Sequence, residues 1–292
     1  MTSDRHSKSG HFLSSFLTKL AHGFAPDILD GDSCQIGYEG SAGVSIQIKD
    51  LNKSFGEHHV LKDINLMIEP GETFSIIGPS GTGKSLLLKH IVKLEQADSG
   101  QILINGHDVN ELESTNMPRS FRYSMVFQSS ALFNSLTVGE NVGLWLREKR
   151  ICGEVRIRRI IQEKLRLVGL AGKEELRTSE LSGGMRKRVA IARSLAMNPD
   201  LILYDEPTAE LDPVTSDELA RVIMSLKEKV KLTTIIVSHD LNFALYLSNR
   251  VAMMHDGEVI AIGTPDEIKK SQNPIVRNFI YTTTKGIQGE GE

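Results

Sequence analysis

Apolar residues along this chain change their period several times, and each change marks a different kind of element. Val44-Ser45-Ile46-Gln47-Ile48 alternates apolar with polar, and residues 60–68 carry Leu61, Ile64, Leu66 and Ile68, the pattern of half-buried strands. Residues 101–104 and 251–254 read as two further antiparallel strands. Runs at 73–77, 201–204 and 234–237 are apolar without alternation, as strands buried on both faces are, and each precedes a helix-compatible segment. A parallel sheet covered by helices is therefore predicted, with an antiparallel β portion at its start. Fold class is α/β.

Between residues 137 and 180 the pattern turns helical and rich in Arg, Lys and Glu, with Val138, Val142, Leu144, Leu146, Ile157, Ile160, Ile161, Leu165 and Leu167 as inward positions. This predicts a helical insertion, spanning about 129–195 as a subdomain of one unit at 44–280. Phe12, Leu13, Phe16, Leu17, Leu20 and Phe24 recur at three- and four-residue steps, one apolar helix face that would lie on a membrane surface, on a partner or on its own domain. Polar residues interrupt it, so a signal peptide is not expected. Residues 27–43 read as a Gly-, Asp- and Ser-rich linker, making 1–43 an N-terminal extension, and 281–292 as a flexible polar tail.

Composition narrows the partners. With 34 Lys and Arg against 37 Asp and Glu, the formal charge of -3 lacks the basic balance of a nucleic-acid binder. Cys34 and Cys152 have no metal-ligand or disulfide spacing. No segment approaches the roughly 18 apolar residues of a spanning helix.

The chemistry is concentrated in two segments. Gly78-Pro79-Ser80-Gly81-Thr82-Gly83-Lys84-Ser85 matches the G-x-x-x-x-G-K-[ST] loop and lies between a buried strand and a helix. Backbone N–H groups there can surround phosphate oxygens, Lys84 can reach the β- and γ-phosphates, and the Ser85 hydroxyl can bind Mg²⁺. Such a loop requires an acidic residue at the end of a neighbouring strand, which Leu203-Tyr204-Asp205-Glu206 supplies. Asp205 is placed for the Mg²⁺ shell. Glu206 is the candidate general base for the attacking water.

Leu181-Ser182-Gly183-Gly184-Met185 then brings a family into view, because these residues resemble the signature motif of ABC transporter ATP-binding subunits. The resemblance extends over about 44–280 and implies an ABC-type P-loop NTPase that hydrolyses ATP with Mg²⁺. It also implies roles for further residues. Phe55 would stack on adenine, Gln128 would touch Mg²⁺ and the attacking water, Asp212 would belong to the D-loop, and His239 would contact the γ-phosphate. Ser182, Gly183 and Gly184 would face the nucleotide held by a second copy, so the working unit would be a nucleotide-sandwich homodimer beneath integral membrane permease subunits, at the cytoplasmic face of the inner membrane.

Met185 stands where most of that family carries glutamine, and with Asn141-Val142-Gly143-Leu144-Trp145-Leu146-Arg147-Glu148 it resembles the ATPases of Mla/MCE phospholipid-transport systems. That likeness implies phospholipid cargo and an MCE-domain partner. If Met185 is only a packing residue, the alternative is an importer of amino acids or another small solute. A soluble ABC ATPase would carry two nucleotide domains or a long coiled coil, and a non-hydrolytic regulator would lack Glu206 or His239; neither fits.

Overall fold

The computed structural model describes residues 43–110 and 122–285. The helix and linker expected at the N-terminus lie outside the described residues, apart from Gly43.

Two sheets form the frame. The first is antiparallel, in the order β2-β1-β4-β5, from β1 (Ile46–Phe55), β2 (His58–Ile68), β4 (Ser99–Ile104) and β5 (His107–Asp108). Alternation in the sequence is broken once in β1 and once in β2, where Asp50 and Asp63 take φ of 45° and 46°. These irregularities re-aim Leu51 and Ile64 toward the core opposite one another. Asn52 satisfies the disturbed backbone, accepting from Asp63 N–H at 3.0 Å and donating to the Asp50 carbonyl at 2.9 Å.

The second sheet has the order β10-β9-β3-β8-β7-β6, from β3 (Thr73–Ile77), β6 (Tyr123–Val126), β7 (Leu201–Asp205), β8 (Thr233–Ser238), β9 (Arg250–His255) and β10 (Glu258–Gly263). Every residue of β3, β7 and β8 is buried, in keeping with their unalternating composition. One expectation is corrected here. The strand around 251–254 is antiparallel only to β10; on its other edge β9 runs parallel to β3, and Val251 to Met254 are consequently buried as a continuous run.

Helices α1 (Lys84–Ile91), α5 (Pro213–Lys229) and α6 (Leu241–Leu247) belong to this sheet, while α2 (Val138–Glu148), α3 (Glu154–Leu167) and α4 (Gly183–Ala196) pack on one another. Thr137 begins α2 with a reciprocal capping box to Glu140. Asn141, wholly buried, fastens the preceding loop by accepting from Phe133 N–H at 2.8 Å and donating to the carbonyls of Phe133, Leu136 and Thr137.

Thr233 joins the two sheets. Its hydroxyl accepts from Val44 N–H at 2.8 Å and Gly71 N–H at 3.0 Å and donates to the Val44 carbonyl at 2.7 Å. At the far end α7 (Pro265–Lys269) and α8 (Pro274–Lys285) follow β10. Helix α8 thus continues past 281, where a flexible tail is expected to begin, because Val276 and Phe279 pack into a small core with Ile268, Leu241 and Val251.

Candidate functional site

The order of the parallel strands collects the predicted residues along one edge. Ile77 lies beside Ser238, Asp205 beside Val237 and Val126 beside Tyr204, so the segments leaving β3, β8, β7 and β6 emerge together at the carboxyl ends of the strands. Those segments are the glycine-rich loop, His239, Glu206 and Gln128.

The loop needs its glycines for two different closures. Gly78 has φ of 145°, and a Cβ there would lie 2.2 Å from the Met254 carbonyl oxygen. Gly83 has φ of 94° and admits the β2 side chain Leu61, whose Cδ2 would sit 2.7 Å from a Cβ. Lys84 is buried at the start of α1, and its ammonium donates to the carbonyls of Gly78 and Pro79, both at 2.8 Å. Burial lowers its pKa, opposed by the nearby carboxylates of Glu206 and Asp205.

Ser85 donates its hydroxyl hydrogen to Asp205 Oδ1 at 2.6 Å, bridging loop and acidic strand. Burial raises the Asp205 pKa, and that hydrogen bond opposes the shift. No cluster of three or more His, Cys, Asp or Glu able to hold a metal occurs among the described residues. The hydroxyl–carboxylate pair fits a Mg²⁺ held by one carboxylate and by substrate phosphates, as this ion commonly is.

Glu206 continues the β7 ladder through its N–H to the Val237 carbonyl at 2.9 Å, and then turns with φ of 48°. A left-handed conformation is uncommon for a non-glycine residue. Beyond this kink its carboxylate does not join Asp205 but meets His239. Oε2 accepts the His239 backbone N–H at 3.1 Å and lies 2.7 Å from the ring Nδ1. Two adjacent acids therefore serve two different partners.

Phe55 is 52% exposed at the β1–β2 turn, opposite His58, with the Lys53 ammonium 5.2 Å from its ring centroid. Lys53 is held at 2.9 Å by Asp98, which also accepts the Ser54 N–H at 2.6 Å. Sequence reasoning misses Asp98, which is distant along the chain and belongs to no motif.

Gly183 and Gly184 begin α4 and Ser182 caps it, its Oγ accepting the Met185 N–H at 3.2 Å. They are not joined to the phosphate loop by helix packing: α4 rests on α2, α3, α5 and β6, whereas α1 rests on β7 and β8. Instead α4 meets the start of α5. A Cβ on Gly184 would lie 2.4 Å from Thr215 Cγ2 and one on Gly183 3.3 Å from Leu211. Asp212 caps α5, accepting from Thr215 N–H at 3.0 Å and Thr215 Oγ1 at 2.5 Å.

Two of the three basic residues in Arg186-Lys187-Arg188, which follow the signature, reach backbone carbonyls. Arg186 donates to the Leu181 carbonyl at 2.6 Å, and buried Lys187 donates to the Gln128 carbonyl. Periodicity gives no sign of that link. Gln128 itself is exposed.

A family model described as ABC transporter matches residues 61–209. A probable ribonucleotide transport ATP-binding protein of Mycobacterium leprae is 38% identical over 251 residues, covering 86% of this chain and 72% of the relative. The chloroplastic protein TRIGALACTOSYLDIACYLGLYCEROL 3 of Arabidopsis thaliana is 39% identical over 266 residues, covering 86% and 77%. Among solved structures, a dimeric ATP-binding cassette in a post-hydrolysis state with ADP and Pi superposes with a TM-score of 0.67 at 34% identity, covering 75% of this chain and 98% of that one.

Proposed function

The chain belongs to the ABC transporter family, with its ATPase cassette fold and hydrolysis of ATP coupled to transport, and from that premise we propose that it powers phospholipid movement between membranes as a nucleotide-sandwich homodimer. The observation that carries the catalytic part is the division of labour at the end of β7, where Asp205 turns to Ser85 and Glu206 to His239.

In this reading the N–H groups of Gly78 to Ser85 and the Lys84 ammonium hold the β- and γ-phosphates, and Phe55 offers its open face to adenine. Ser85, Asp205 and Gln128 would hold Mg²⁺, which when bound neutralises charge on the phosphate oxygens. Glu206 takes a proton from the attacking water as its oxygen bonds to the γ-phosphorus and the bond from that phosphorus to the β–γ bridging oxygen breaks, releasing ADP and inorganic phosphate, and His239 holds that carboxylate and reaches the γ-phosphate. Ser182, Gly183 and Gly184 present the start of α4 to the nucleotide of the second copy. The D-loop residue Asp212 keeps α5 seated beneath them.

The cassette would sit peripherally at the cytoplasmic face of the inner membrane, beneath permease subunits and an MCE-domain lipid-binding protein. No helix among the described residues is long and apolar enough to cross a membrane. Phospholipid cargo is supported by Met185, by the segment from Asn141 to Glu148, and by similarity to a relative whose name carries that of a galactolipid. A small-solute importer is the second reading, favoured by the ribonucleotide-transport name of another relative.

Two experiments test this. Glu206→Gln should retain ATP binding and lose hydrolysis by about 10²–10⁴-fold; retained turnover removes Glu206 from its role. Purifying the tagged chain from its native membrane should recover a permease, an MCE-domain protein and phospholipid by mass spectrometry. Recovery of a permease with a solute-binding protein would transfer the cargo to the second reading.

A further inference from the structure

Helix α4 carries two inward-turned cations, one near its start and one on its last turn, that reach the same stretch of chain. Lys187, 5% exposed, donates to the carbonyl of Gln128. Arg193 donates through Nη1 to the Ala131 carbonyl at 2.7 Å and through Nη2 to the Ser130 carbonyl at 3.0 Å. Three backbone acceptors in residues 128–131 are thus held from one helix.

That stretch could not easily hold itself. Ser130 and Ala131 are consecutive non-glycine residues with φ of 61° and 47°, a strained conformation that persists only where the surrounding structure imposes it. A single turn bond within the stretch, from Ser130 N–H to the Phe127 carbonyl at 2.9 Å, is small compensation. A planar guanidinium fork spanning two successive carbonyls imposes a direction as well as an attraction. The Lys187 ammonium also lies in the electrostatic field of Glu210, Asp205 and Glu206.

We infer that Lys187 and Arg193 are positioning residues that set Gln128 from the signature helix. Because α4 begins just after Ser182, a shift of its first turn toward a partner's nucleotide would move the Gln128 carbonyl with it. Engagement of the signature at one site is thereby read by the Mg²⁺-side residue of the same chain. The inference rests on the role proposed for Gln128, and goes beyond it by naming what places that residue.

The test uses the full chain purified with its membrane partners, with steady-state ATPase measured against ATP and against Mg²⁺. Lys187→Met, which keeps the stem and removes the ammonium, should lower kcat about tenfold and raise the Mg²⁺ needed for half-activity, with KM for ATP within about twofold. Lys187→Arg should restore most of the loss. In a Gln128→Ala background Lys187→Met should add less than about twofold, since both act through one group. Unchanged kcat and Mg²⁺ dependence in Lys187→Met, or a full multiplicative effect on top of Gln128→Ala, overturns the inference. If Gln128→Ala alone changes neither quantity, the role given to Gln128 falls and takes the inference with it. Should Lys187→Met not fold, Arg193→Lys, which keeps the cation but loses the fork, is held to the same outcomes.

Discussion

His239 Nδ1 lies 2.7 Å from Glu206 Oε2, and the same oxygen accepts the His239 backbone N–H at 3.1 Å. The histidine side chain is 57% exposed and the glutamate side chain 13%, so the solvent-facing partner orients the sheltered one. Removing the ring leaves the backbone N–H to aim the carboxylate. His239→Ala should therefore lower kcat by about 10²-fold while the affinity for ATP changes far less. Single-turnover hydrolysis alongside equilibrium ATP binding separates the two.

A methyl group placed on Gly184 would come within 2.4 Å of Thr215 Cγ2, which makes this glycine a packing requirement as well as a proposed phosphate contact. Gly184→Ala should cost about 1–3 kcal/mol by overpacking. Thr215→Ser removes Cγ2 but keeps a hydroxyl for Asp212, and the double variant should regain most of the loss. Urea unfolding of the single and double variants measures this; an equal cost with and without Thr215→Ser would mean the clash lies elsewhere.

Asn141 satisfies one N–H and three carbonyls of the loop entering α2. Asn141→Leu, similar in size, should destabilise the chain by about 1–3 kcal/mol, because the part-buried Phe133 N–H and Leu136 carbonyl lose their partner, while the Phe133 and Thr137 carbonyls keep backbone donors. Denaturant midpoints report it. ATP affinity should hold, since Asn141 serves the helical insertion rather than the phosphate loop.

Asp98 gives a pH dependence with a definite sign. The Lys53 hydrogen bond, then the Ser54 N–H, hold its pKa below the ordinary 3.8. A carboxylate depressed in the folded state binds protons more readily when unfolded, so its stabilisation is complete above about pH 3.8 and disappears as pH falls through the lowered folded value. The stability difference between the natural chain and Asp98→Asn should be flat from about pH 5 to 8 and shrink below about pH 4. Thermal melts across that range show whether it does.

Strand identity is readable in the sequence where composition alone decides it. The unalternating runs of β3, β7 and β8 could be nothing but doubly buried strands once helices followed them. Residues 251–254 are harder, because a strand parallel on one edge and antiparallel on the other has no sequence sign of its two directions. At the site, spacing finds Lys84, Ser85, Asp205 and Glu206, whose contacts depend on segments at known strand ends. It cannot find Asp98, Lys187 or Arg193. Those side chains act on backbone carbonyls and N–H groups, which nearly every residue possesses, and no pattern of residue types marks the acceptor.

Glu206 sits at φ of 48°, a conformation that glycine or asparagine adopts with less strain. Robustness and turnover therefore make opposite demands on a single position. A chain relieved of catalysis, with Glu206→Gly or Glu206→Asn, would lose the need for a carboxylate and relax a backbone torsion at once, and inactive variants of this kind should outlast the working enzyme in storage and on heating. Sequence drift in any copy that no longer drives a transporter would be expected to pass through this residue early.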